Sequence, residues 1–209
     1  DNYLEKKMEE YRQRSQSSHT PTALTLNQLL MRNRSHRGYD TRRMVTPEEL
    51  RRIVNVCTRI PSARNQQCLR YRLVTHDEAE KVLPLIRLGG ALPELHLPIK
   101  GEEPRAFIIA CCTKVEDRWV DIDLGIAAQS MLLKATEMGL NGICIGAFNG
   151  EQVREALRLP YSPLLIIAIG KGTDKISLTK ISPSDSHAYY RNEGTHYVPK
   201  VQLDDLIIE

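Results

Sequence analysis

Several kinds of chemistry are excluded by what this sequence lacks. Its five cysteines (Cys57, Cys68, Cys111, Cys112 and Cys144) are odd in number and include no C-x-x-C pair. That pattern predicts reduced, mostly buried thiols in a cytoplasmic protein, not a disulfide framework or a zinc site. The six histidines are scattered, without an H-x-x-x-H or His-Cys cluster, so no metal site is expected. No apolar run approaches the roughly 18 to 20 residues needed to cross a bilayer, so no membrane partner is expected. Aromatic residues make up only 5% and the sole tryptophan, Trp119, lies far from the basic stretch at 32–40, so the interleaving of basic and stacking residues that nucleic-acid binding calls for is missing. A net charge of +3 is also too small for a general polyanion binder. No G-x-G-x-x-G opens a helix, and "GKGTDK" (170–175) lacks P-loop spacing and reads as a turn after a strand. Neither a carboxylate pair nor a catalytic triad stands out.

What remains is a 209-residue chain in which helix and strand alternate. Leu4, Met8 and Tyr11 form a stripe on a charged helix over 2–14, and a polar linker follows, so residues 1–20 read as an appendage to a single domain over 21–209. A short helix is predicted over 26–31. "TPEE" supplies Thr46 as N-cap, Pro47 at N1 and Glu49 at N3, a capping box that opens a helix running to about Ile60, before Pro61. A further helix is predicted over 77–88, and a broad apolar face predicts a central, largely buried helix over 121–139, stopped by Gly139. Strands are predicted at 70–75, 106–112, 142–148 and 164–170. The last two are continuous apolar runs, which predicts strands covered on both faces. Asn149 caps a short helix between them. The tail over 197–207 shows no clear period.

Three stretches could carry chemistry. In "RNRSHRGYD" (32–40), Arg34 and Arg37 can offer bidentate donors to a phosphate while Ser35 fills a remaining lone pair, although the same residues would suit a solvated basic turn. "PSARNQQ" (61–67) gathers small residues, amides and free backbone groups, as a flat heterocycle with several donors and acceptors would require or as an ordinary helix-to-strand connection would allow. In "CIGAF" (144–148), Gly146 and Ala147 let backbone N–H groups approach a ligand, or simply end a strand tightly.

Taken in order, these stretches and the "DxxLGIAAQ" pattern at 121–129 resemble the nitroreductase family of flavin enzymes, over roughly residues 25–172 with a weaker match in the tail. The resemblance implies an α+β fold with a central mixed, mainly antiparallel sheet flanked by helices, in a homodimer with FMN at the subunit interface. It implies Arg34, Ser35, Arg37 and Lys200 at the FMN phosphate. Pro61, Ser62, Ala63 and Asn65 of the partner subunit would lie near the isoalloxazine ring, with Gln67 as a structural or ring contact. The backbone of Ile145, Gly146 and Ala147 would lie beside the flavin N5 and O4 edge. The implied activity is two-electron, ping-pong reduction of a nitroaromatic, quinone or related electrophile, with NADH or NADPH as transient donor. Another reaction on the same scaffold, such as reductive dehalogenation or metabolite oxidation, and a non-catalytic flavin-binding protein are the alternatives. Since the flavin carries the redox chemistry, no acid or base side chain is required.

Four positions depart from the family pattern. Asn33 stands where an arginine is frequent, Cys68 and Leu69 replace a Pro-Trp pair, and Val201 replaces a second basic residue beside Lys200. The loop over about 85–104 is short, which predicts a more open pocket or a different substrate.

Overall fold

The computed structural model describes residues 2–3, 5–9, 23–90 and 92–208. The linker and the domain boundary expected near residue 20 lie outside them, as does much of the helix expected over 2–14, of which residues 3 and 5–9 are helical.

Capping chemistry places the first helices. Helix α1 (Leu26–Arg32) opens on a Thr25–Gln28 capping box. Helix α2 (Pro47–Val54) opens on the predicted box, with Glu49 N–H donating to Thr46 Oγ1 at 3.2 Å and Thr46 N–H to Glu49 Oε2 at 2.9 Å. It tightens into a 3-10 turn over Asn55–Thr58, ending sooner than expected.

Strands β1 (Leu69–Thr75), β2 (Ala106–Cys112), β3 (Asn141–Ile145) and β4 (Ser162–Gly170) form one antiparallel sheet in the order β1-β2-β4-β3. Period two sorts the apolar runs between its faces. Phe107, Ile109, Ile143, Ile145, Ile166 and Ala168 pack in one core, which also holds Tyr39, Val82, Ile86 and Val153. Ala106, Ile108, Ile167 and Ile169 pack in a second core against Leu50 and Ile53 of α2 and Ala127, Met131 and Ala135 of the long helix α4 (Arg118–Glu137). Two covered faces explain why β2 and β4 read as unbroken hydrophobic runs.

Between β1 and β2 the helix expected over 77–88 reduces to a single turn, α3 (Ala79–Val82), flanked by 3-10 turns at His76–Glu78 and Leu83–Leu85. Leu83 keeps helical backbone, but Pro84 has no N–H to donate to the carbonyl four residues back, so the α ladder stops there and the chain tightens into a 3-10 turn. Helix α4 begins three residues earlier than predicted because Asp117, as N-cap, accepts from Trp119 and Val120 N–H; Gly139, at φ +75°, follows its end. Strand β3 stops at Ile145, leaving Gly146 and Ala147 outside the sheet, and Asn149 caps α5 (Gly150–Ala156) as expected.

The tail differs most from expectation. Strands β5 (Lys175–Ile181), β6 (Tyr190–Asn192) and β7 (Thr195–Val201) form a second sheet in the order β5-β7-β6, before the short helix α6 (Leu203–Leu206). Here β7 pairs parallel with β5 and antiparallel with β6, so mixed pairing belongs to this sheet. Pro199 sits beyond the residues that pair with β6, where its missing N–H leaves no gap in that ladder.

Gly142 marks a close approach. A Cβ there would fall 2.7 Å from the Ala168 carbonyl oxygen and 2.6 Å from Leu132 Cδ2. The carbonyl belongs to the paired strand and cannot swing away, so Gly142→Ala is expected to destabilise the fold by about 1 to 3 kcal/mol. Thermal unfolding followed by circular dichroism measures this; an unchanged midpoint would show that β3 has room to move.

Candidate functional site

The segment Arg34–Asp40 is not a solvated turn. His36 N–H donates to the Gly142 carbonyl (3.2 Å), Asp40 N–H to Lys171 O (2.8 Å) and Thr173 N–H to Gly38 O (3.0 Å), tying the segment to the edge of β3 and to the chain after β4. His36, Arg37 and Tyr39 are buried. The anchor is Asp174, whose Oδ2 accepts from the backbone N–H of both Arg37 (2.6 Å) and Gly38 (3.0 Å) and whose Oδ1 pairs with Arg191.

This anchoring turns one basic face onto a cavity of about 290 Å³ lined by Arg34, Ser35, Arg37, His196 and Lys200, together with Tyr189, Gln129 and Gly142. Arg37 is 9% exposed; its Nη1 donates to Ser35 O at 3.2 Å and its guanidinium lies over the Tyr189 ring, 4.9 Å from the centroid. Arg34 Nη2 donates to Leu30 O at the end of α1. The buried Nε atoms of Arg34, Arg37 and Arg191 and Nδ1 of His196 have no hydrogen-bond partner. Burial pushes Arg34 below the ordinary arginine value, the direction expected where a cation lies partly out of water without an anion. Unpartnered buried donors are costly, and oxygens of a small anion would satisfy them.

The loop over residues 61–67 is built differently. Arg64 (φ 53°), Asn65 (φ 53°) and Gln67 (φ 43°) all adopt left-handed backbone, a concentration of unfavourable geometry that surrounding structure must hold. Asp123 of α4 does so: its carboxylate accepts from Ser62 Oγ (2.6 Å), Ala63 N–H (2.8 Å) and Gln66 Nε2 (2.9 Å). Burial alone would raise the Asp123 pKa, but these three hydrogen bonds outweigh it and hold the carboxyl below its ordinary value. Arg64, Asn65 and Gln67 remain exposed, and Pro61, Ser62 and Gln67 border a separate cavity of about 380 Å³.

The third stretch follows β3. The Ile145 side chain is buried in the core, so only its backbone faces outward chemistry, whereas Gly146 is open: a Cβ there would meet nothing within 4 Å. The Ala147 carbonyl accepts from Arg87 N–H at 2.9 Å, and Ile86 bridges to Phe148, which docks the start of the loop over 85–104 beside a cavity of about 460 Å³. Gly142 at the basic cavity and Gly146 are four residues apart, about 13 Å at roughly 3.3 Å per strand residue. Within one chain, therefore, Arg34, Ser35, Arg37 and Lys200 converge, Ile145, Gly146 and Ala147 extend from the same strand, and Pro61, Ser62, Ala63, Asn65 and Gln67 line neither of those two cavities.

Several residues at these sites escaped sequence reasoning. Asp174 lies 137 positions from Arg37, and Tyr189, Arg191 and His196 sit on or beside strands that the tail's pattern did not show. Asp123 carried a weak signal, being an acidic residue within an otherwise apolar helix. Of the thiols expected to be mostly buried, Cys68, Cys111 and Cys112 are buried, Cys57 is half-buried and Cys144 is exposed. Among the described residues no cluster of three or more His, Cys, Asp or Glu is placed to hold a metal ion, and no helix is long and apolar enough to cross a membrane.

A two-faced antiparallel sheet with helices on both sides and a basic cavity at the start of one strand defines an α+β protein. The family model described as the nitroreductase family matches residues 30–171, and the chain belongs to the nitroreductase family. A Methanocaldococcus jannaschii protein described as a nitroreductase is 37% identical over 54 residues, 26% of this chain and 27% of that one. The Bacillus subtilis protein YodC, described as an NAD(P)H nitroreductase, is 24% identical over 71% of this chain and 93% of its own length. Among solved structures, a nitroreductase family protein from Clostridium difficile is 25% identical with a TM-score of 0.58, covering 72% of this chain and 86% of that one. A nitroreductase from Exiguobacterium sibiricum solved in complex with FMN shares the fold at 20% identity and a TM-score of 0.59, covering 74% and 91%.

Proposed function

We propose that this chain is an FMN-dependent oxidoreductase that uses NADH or NADPH to reduce nitroaromatic, quinone or related electrophilic acceptors by two-electron, ping-pong turnover in a cytoplasmic homodimer. The observation that carries the reading is the basic cavity, where buried donors of Arg34, Arg37 and His196 stand without partners beside Ser35 and Lys200. Their number and charge fit a phosphate monoester such as that of FMN. When bound, FMN supplies a two-electron centre that accepts hydride from the nicotinamide and delivers it to the acceptor.

The chain's own residues bind and orient. Arg34, Ser35, Arg37 and Lys200 hold the phosphate. The backbone at Gly146 and Ala147, open on the ligand side, supplies a donor toward the ring edge. Pro61, Ser62, Ala63, Asn65 and Gln67 of the second copy line the ring, with Asp123 fixing their loop. Membership of the nitroreductase family and the NAD(P)H nitroreductase description of the Bacillus subtilis relative support the donor. Steady-state rates with a panel of nitro compounds and quinones test the reading: parallel double-reciprocal lines are expected, and absence of turnover with every acceptor contradicts it.

A shared site requires a dimer, and exposed apolar side chains on three elements support one. Leu26 (61% exposed) and Met31 (63%) on α1, Trp119 (48%) and Ile122 (41%) on α4, and Leu206 (67%) and Ile208 (98%) in the tail are all uncovered in one copy. Sedimentation at micromolar concentration is expected to give a dimer, with Ile122→Asp shifting it to monomer and lowering flavin content. A parent protein that sediments as a flavin-loaded monomer would contradict the shared site.

A further inference from the structure

The second sheet places a histidine where the phosphate reading needs no more than arginine and lysine. His196, on β7 opposite Arg191 of β6, is 2% exposed and lines the same cavity as Arg34, Arg37 and Lys200. Its Nε2 lies 3.5 Å from Arg37 Nη1, and its ring packs on Tyr189 with centroids 4.9 Å apart. A guanidinium can only donate, so Nε2 is the acceptor of that pair and the proton of the neutral ring sits on Nδ1. That Nδ1–H is buried and has no partner.

We propose that His196 is a proton-linked ligand of the phosphate group: it donates from Nδ1 to a phosphoryl oxygen, and protonation of its ring tightens binding. The inference rests on the flavin reading for the identity of the ligand but not for the site itself. The charged groups that act on the ring are Arg37 from the 34–40 segment, Arg191 from β6 and Asp174 after β4; His36 meets Asp174, and Lys200 on β7 lines the same cavity. Burial, then Arg37 and Arg191, hold the imidazole below the ordinary histidine value, with Asp174 acting against them. The free ring is therefore neutral near neutral pH. A phosphoryl dianion beside it favours the charged form and draws the Arg37 guanidinium off Nε2, which a protonated ring can no longer offer as an acceptor, so the ring's midpoint rises on binding. Affinity is then gained as pH falls through the bound midpoint, and the gain levels off below the free one. The second ionisation of a phosphate monoester, near pH 6, opposes this trend, so the comparison must be with a variant that lacks the imidazole.

The test is a proton NMR titration of the histidine ring resonances of the full-length apo-protein, alone, with inorganic phosphate and with FMN. The His196 signal is assigned by its loss in His196→Gln. The midpoint is expected to rise by at least about half a pH unit with either ligand. The FMN Kd ratio of His196→Gln to parent is expected to grow from about threefold near pH 8 to about tenfold near pH 6. A midpoint moved by phosphate in a protein that fails to bind FMN would support the anion site and contradict the flavin reading. FMN that binds and bleaches with NAD(P)H while the midpoint stays fixed would overturn the inference and leave the flavin reading intact. A midpoint unmoved by either ligand also overturns it, and His196→Asn provides the assignment if His196→Gln folds poorly.

Discussion

Arg37→Ala is expected to raise the dissociation constant for FMN roughly tenfold to a hundredfold, since loss of a charged hydrogen bond to phosphate costs on the order of 1.5 to 3 kcal/mol. The fold should survive. What pins the 34–40 segment is the Asp174 carboxylate on the backbone N–H groups of Arg37 and Gly38, which alanine retains. The side chain contributes its bond to Ser35 O and its contact with Tyr189, both next to the cavity. Fluorescence quenching of FMN by the apo-protein measures the affinity, and thermal unfolding measures the fold. Equal affinity in variant and parent would remove Arg37 from the phosphate site.

Asp123→Ala is expected to act on the other half of the site and on stability together. It strands Ser62 Oγ, Ala63 N–H and the Gln66 amide, of which the first two sit at the base of a loop with three left-handed residues. Unmet donors of this kind cost about 1 to 3 kcal/mol each where water is excluded. A net loss on the order of 3 kcal/mol lowers the unfolding midpoint by about 10 °C in a chain of this size. Flavin affinity should fall as well, because the loop no longer holds the shape it presents to the second copy. The pH dependence has a definite sign. A carboxyl held below its ordinary value stabilises the fold above its unfolded-state pKa, and that stability is lost as pH falls through the folded value. The gap in stability between parent and Asp123→Ala should therefore narrow on acidification below about pH 4. A gap that stays constant into that range would show that the carboxylate's charge is not what holds the loop.

These two residues show how unevenly the site could be read from sequence. Arg37 was visible because a run of basic residues around a serine is local, and the capping box at Thr46 and the two-faced strands β2 and β4 were visible for the same reason: their signals repeat within one element. Asp123, Asp174 and His196 were not, because each acts on residues that only the folded chain brings near, from 57 to 159 positions away. The second sheet was hidden by composition. Strand β7 carries Pro199, which weakens its strand signal, whereas β5 alternates polar and apolar residues over 175–179, a period-two signal that reading 170–175 only as a turn left unused. The helix expected over 77–88 failed at Pro84, whose missing N–H, readable from the sequence, interrupts the i to i−4 ladder. Asn33, which stands where the family resemblance suggested an arginine, lines the same basic cavity.

The central claim is that the basic cavity holds the phosphate of a redox-active flavin. The visible absorbance spectrum of the purified protein, supplied with FMN and recorded anaerobically before and after NADH or NADPH, tests it most directly. Flavin bands that co-purify or are taken up in a stoichiometric amount, and that bleach on addition of the nicotinamide, are the predicted result. A protein that stays colourless in the presence of FMN, or binds it without bleaching by either donor, would contradict the account.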